Sequence, residues 1–113
     1  MGARETNIGN EICVALSKRG CKIFRSQSGH FYTKYGSEIV IGVVGESDYH
    51  GHRKDGRAFY IETKTDKGKL SKDQKKFLRA MYESGALAGV ARSVDDALLI
   101  IQGRNDTSEF YRD

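Results

Sequence analysis

Two short strands that face each other across a tight turn constrain this chain more than any other stretch. Asp48 to His52 and Arg57 to Thr65 flank Lys54-Asp55-Gly56, whose glycine can take the positive φ that closes a three-residue hairpin. If Arg53 pairs with Arg57, Asp48 lies opposite Glu62, and strand alternation puts Lys64 on the same face. A two-residue loop would pair Asp48 with Thr63 and turn the acids to opposite faces. The expectation is the three-residue register, or a bulge of the same parity, with two carboxylates and a lysine gathered at the open end of the hairpin.

The elements around it follow from periodicity and punctuation. Ile8, Ile12, Ala15, Leu16 and Arg19 recur at helical spacing as far as Gly20, which predicts an amphipathic helix over about 4 to 19. Glu5 falls on that apolar stripe, and Glu11 lies at its edge. Cys21 to Ser26 reads as a short strand and Gln27 to Gly36 as a loop or irregular hairpin, while Ile39 to Val44, apolar on both faces, predicts a buried strand. Ser71 and Gln74 have capping-box spacing, and Phe77, Leu78 and Met81 continue an apolar stripe to Gly85. Leu87 to Arg92 predicts a strand, and Ser93 caps a third helix through Ile101, ended by Gly103. Residues 104–113 show no periodicity and are expected to be a mobile tail, leaving residues 1–103 as a single domain.

Net charge is only +4, but 64, 67, 69, 72, 75, 76 and 79 hold seven of the 19 cations against Asp66 and Asp73. That local excess, with Lys72, Lys75, Lys76 and Arg79 in one helical arc, suggests an anionic partner, although a simple solvated face has the same pattern. Two cysteines, Cys13 and Cys21, give neither a disulfide framework nor a paired metal pattern, so free thiols in the cytoplasm are the default. No run is long enough to span a bilayer, and the polar start lacks a signal peptide's apolar stretch. Gly2 and Thr6 fit the loose acylation pattern, but the segment reads better as a helix start.

Singly, the polar residues have ordinary readings. Glu62 and Lys64 could be a same-face ion pair, Asp48 a turn cap, and Gln74 the capping partner of Ser71. His50 and His52 could chelate as a His-x-His pair, but His30 is remote and no third ligand recurs at matching spacing, so zinc is not favoured. Together, Asp48, Glu62 and Lys64 could hold a divalent cation beside a phosphodiester and offer a cation to the nucleophile.

Several stretches in order and at matching spacing carry a resemblance: Glu5-x-x-Ile8 and Gly20; Gly45-Glu46-Ser47-Asp48; Phe59-Tyr60-Ile61-Glu62-Thr63-Lys64-Thr65; Lys69-Leu70-Ser71-x-x-Gln74; and Gly89-Val90-Ala91-Arg92-Ser93. The chain resembles a stand-alone VRR-NUC (virus-type replication-repair nuclease) domain of the PD-(D/E)xK nuclease superfamily over roughly residues 5–102. Ser47 departs from it, standing where the family usually has proline. The resemblance implies an α/β restriction-endonuclease-like core, α-β-β-β-α-β, with a mixed central sheet flanked by helices. It also implies Mg²⁺ or Mn²⁺ held by Asp48, Glu62 and the Thr63 backbone carbonyl, with Glu5, or its rival Glu11, as the first-helix acid. Lys64 would act on the attacking water and Gln74 would position substrate or Lys64. DNA would be met by Arg25, Lys67, Lys69, Lys72, Lys75, Lys76 and Arg79. The implied activity is cleavage of branched DNA, most specifically resolution of four-way (Holliday) junctions by a homodimer. The alternatives are a non-catalytic nucleic-acid-binding module, or a repair or restriction endonuclease acting on linear duplex or flap DNA.

Overall fold

The computed structural model describes residues 3–27 and 29–112, with their side chains except those of Ala3, His30 and Ile41. Gly2 of the acylation pattern and the His30 ring lie outside the described part of the chain. Helix α1 (Ala3–Ser17) leads to β1 (Lys22–Arg25), a β2–β3 hairpin (Gly29–Tyr32 and Glu38–Ile41), β4 (Tyr49–His52) and β5 (Ala58–Thr63). Then come α2 (Lys72–Glu83), β6 (Leu87–Ala91), α3 (Val94–Ile101) and a 3₁₀ turn, Ser108–Phe110. The main sheet has the order β1-β4-β5-β6, antiparallel except for the parallel β5–β6 pair. This is the mixed α/β core that the sequence predicts.

Period-2 alternation along β5 divides the interior in two. Phe59 and Ile61 pack with Ile12 and Leu16 of α1 and Ala97 and Ile100 of α3 on one face of the sheet. Tyr60 packs with Leu78 of α2, Ala88 of β6 and Phe110 on the other. Glycines at the expected stops end the helices, with φ of 82° at Gly20 and 104° at Gly85. Cys13 and Cys21 are free thiols, half-buried and buried respectively.

Two expectations are corrected. Ile39 to Val44 is not a core strand: β1 pairs directly with β4, so the chain between them leaves the sheet as its own two-stranded hairpin. Its apolar residues stay open, with Ile39, Val40, Val43 and Val44 between 45% and 74% exposed. Residues 104–112, expected to be a mobile tail, are instead packed. The Phe110 ring is fully buried beside Leu70, Leu78 and Ala88, and the Arg79 guanidinium donates to its carbonyl at 2.8 Å.

Candidate active site

The β4–β5 turn sets the geometry. Arg53 N donates to Arg57 O at 2.9 Å, Gly56 has φ of 90°, and Tyr49 pairs with Ile61, so the next step places Asp48 opposite Glu62. The three-residue register is the one formed. Asp55 fastens the turn by accepting from Arg57 N at 3.1 Å and pairing with Arg53, which holds its carboxyl down at about 2.

Asp48 is fixed by donors that spacing alone does not reveal. Its Oδ2 accepts from both Thr63 N at 3.0 Å and Thr63 Oγ1 at 2.7 Å, from a threonine that is itself buried. The turn before it is held without proline: buried Ser47 donates its hydroxyl to Tyr49 O at 2.9 Å. On the other side, Ser26 N donates to Asp48 O at 2.8 Å.

Glu62 is the unusual group. It is only 3% exposed, and its Oε2 has no hydrogen-bond partner among the described residues. Burial, then a hydrogen bond and repulsion from Asp48, push its carboxyl up to about 9, while Lys64 pulls the other way and Glu5 adds to the rise. Two acids this close titrate as a pair, and burial favours a proton or a cation between them over two free charges. Glu5, from the first turn of α1, lies near enough to act on Glu62, whereas Glu11 is exposed. A buried carboxylate oxygen beside a second carboxylate is a donor set suited to a hard divalent cation. Among the described residues no three His, Cys, Asp or Glu side chains already form a metal cage, so backbone and water oxygens would complete any shell.

The other predicted residues divide. Lys64 follows Glu62 on the same face, and its stem passes beside Gly68. The Gln74 carboxamide completes the capping box by accepting from Ser71 N at 2.9 Å, and so points at its own helix start. His50 bonds Ser26 Oγ at 2.9 Å with its ring near Phe24, and His52 Nδ1 lies 3.0 Å from Arg53 O. Arg25, Lys67, Lys69, Lys72 and Lys76 are exposed. The expected outward arc on α2 is broken, because Lys75 donates to Arg112 O at 2.8 Å and Arg79 to Phe110 O. Those two cations bind the C-terminal segment.

Comparison with known proteins bears on the fold. The profile of the VRR-NUC domain matches residues 40–95, which include Asp48, Glu62, Lys64 and Gln74. A solved structure described as a VRR_NUC domain is similar to this chain at a TM-score of 0.64 and 15% identity, covering 89% of this chain and 97% of its own, which shows the shared fold. No curated protein matches the sequence significantly. Residues 40–95 match the VRR-NUC domain, and the architecture is the one that the solved VRR_NUC domain has.

Proposed function

We propose that this protein is a Mg²⁺- or Mn²⁺-dependent endodeoxyribonuclease that cuts branched DNA, with four-way junctions its foremost substrate and a homodimer its working form. The observation that carries the reading is the buried Glu62 carboxyl set against Asp48 with an orphaned oxygen. An acid in that place is held at a cost unless a cation or a proton satisfies it.

Asp48, Glu62 and the Thr63 carbonyl would hold the ion, with Glu5 acting through water from α1. When bound, a divalent ion polarises the scissile phosphate and lowers the pKa of an attacking water. Thr63 fixes one oxygen of Asp48, and the other would be available as a ligand once an ion replaces its contact with Glu62. Lys64, on the same strand face, offsets phosphate charge and orients or helps deprotonate the water. Exposed Lys67, Lys69, Lys72 and Lys76 follow the DNA backbone, with Arg25 on the far side of Asp48. Products with 5′-phosphate and 3′-hydroxyl ends result from the chemistry usual for this fold.

A symmetric junction suits two sites related by a twofold axis. The uncovered apolar hairpin and Leu99 of α3, 41% exposed, are the surfaces that would join two copies. The test is cleavage of matched linear, flap and four-way substrates with and without Mn²⁺, paired with a solution mass. Metal-dependent nicking of the branched substrates by a dimer supports the reading. Binding without cleavage, or cutting of linear duplex alone, refutes it.

A further inference from the structure

The part of the molecule that the nuclease reading leaves unused is the C-terminal segment and the arginine it touches. Arg92, just past β6, spreads its guanidinium over three partners. Nε donates to Thr65 O at 3.2 Å, Nη2 to Gly68 O at 2.7 Å, and Nη1 to Glu109 Oε2 at 3.1 Å. Nη2 also lies 2.8 Å from Glu109 Oε1, so the carboxylate and guanidinium meet as a bidentate fork. Thr65 and Gly68 bound the turn directly after Lys64, itself closed by Gly68 N donating to Thr65 O at 3.0 Å.

That turn passes beside Lys64: a Cβ at position 68 would lie 3.3 Å from Lys64 Cδ and 3.4 Å from Lys64 Cβ, so the turn flanks the lysine stem. The Lys64 backbone is pinned from the opposite side by its N–H to Ala91 O at 3.1 Å, one residue before Arg92. Arg92 thereby joins the strand that fixes the Lys64 main chain to the turn that flanks its side chain. Glu109 is carried by the 3₁₀ turn, which Phe110 anchors in the core and which Lys75 and Arg79 tie to α2.

We propose that Arg92, braced by Glu109, is a positioning residue for Lys64, so that the C-terminal segment is part of the catalytic unit. This rests on the nuclease reading above. Lysine at 92 keeps the charge but lacks the planar fork needed to span two carbonyls and a carboxylate. A small displacement of the Lys64 ammonium would slow the chemical step while DNA affinity, which depends on the exposed cations, holds.

The experiment is single-turnover nicking of a four-way junction at saturating DNA and Mn²⁺ by the parent, Arg92→Lys, Arg92→Ala and Glu109→Gln. Amide hydrogen exchange of residues 65–69 is measured in parallel without DNA or metal. We expect Arg92→Lys and Arg92→Ala to lose about tenfold or more in rate with DNA affinity within about twofold. Glu109→Gln should lose less. Guanidinium ion at sub-denaturing concentration should restore part of the Arg92→Ala rate, and amides 65–69 should exchange faster in all three variants. Rates equal to the parent's overturn the proposal. So does a loss that follows melting temperature alone, with unchanged exchange and no guanidinium rescue. If Arg92→Ala does not fold, Arg92→Lys and Glu109→Gln decide on the same two readouts. A parent protein that cuts no branched DNA overturns the nuclease reading itself, and Arg92's role with it.

Discussion

Replacing Glu62 by glutamine tests the site without any substrate. In the folded protein the Glu62 carboxyl is raised from 4.5 to about 9 by burial first and by Asp48 second. The folded chain therefore holds one proton more than the unfolded chain across that window, so stability is greatest below the unfolded value and falls as pH rises. The slope is about 1.4 kcal/mol per pH unit for one proton, or about 3 kcal/mol between pH 5.5 and pH 7.5. Other displaced groups do not confuse this window. Asp55 and Asp106 are shifted downward and are ionised in both states by pH 5.5, while Cys13, Cys21, Tyr49 and Tyr111 are shifted upward from 9 or above. Glutamine keeps the shape and cannot ionise. In chelator at pH 7.5, three units above the unfolded value, Glu62→Gln should melt above the parent by on the order of 15 °C, the equivalent of about 4 kcal/mol for a domain of this size. Adding Mn²⁺ should raise the parent's melting temperature, leave the variant's unchanged, and support cleavage by the parent only. Urea or thermal denaturation across pH 5.5–8 in chelator reads the slope. A flat parent profile, with Glu62→Gln no more stable, would refute the claim that this carboxyl is buried and protonated.

Thr63→Val removes the hydroxyl that donates to Asp48 and keeps the volume. Calorimetric Mn²⁺ affinity should fall about tenfold to hundredfold, with Thr63→Ser close to the parent, by analogy with groups that orient metal ligands. Lys76→Ala should weaken DNA binding, lower the slope of log affinity against log salt by about 1, and leave the saturated cleavage rate in place. Lys75→Ala, whose ammonium binds the Arg112 carbonyl, should reduce thermal stability more than it changes that salt slope. Phe110→Ala should cost about 3 to 5 kcal/mol in urea denaturation, because its ring is fully buried, whereas a loose tail would cost nothing.

The parts legible in the sequence were those with local chemistry. Ser71 with Gln74 and Ser93 announced two helix starts, and their side chains cap Gln74 N and Asp96 N, both at 3.1 Å. Gly20, Gly85 and Gly103 announced three ends. The stretches misread lacked such a signal or had two meanings. An apolar run such as Ile39 to Val44 looks the same whether helices cover both faces or neither does, because periodicity counts side chains and not neighbours. Residues 104–112 contain one large apolar anchor, and a 3₁₀ turn is too short to leave a period. The cations at 75 and 79 lie one helical turn apart on a face that looks solvated until a partner segment folds over it. The Thr63 hydroxyl was hidden because strand alternation pointed it at the other face, and only the bend at Asp48 brings that carboxylate to it.

Parity is what turns this hairpin into a candidate site. The turn Lys54-Asp55-Gly56 is held by Gly56 at positive φ and by the Asp55 carboxylate on the Arg57 amide. With that odd count, Tyr49 meets Ile61 in the core, and the next step outward sets Asp48 against Glu62. A one-residue slip would pair Tyr49 with Glu62 and Asp48 with Thr63, so the core and the acid pair would be lost together. The same alternation that buries Phe59 and Ile61 on one face therefore keeps Glu62 and Lys64 together on the other. Core packing and acid placement are two results of one register. A sequence free to slip could not hold a carboxyl at 3% exposure beside a second one, because water or an alternative pairing would relieve it. The fold tolerates that cost because β5 is paired on both edges, with β4 and with β6.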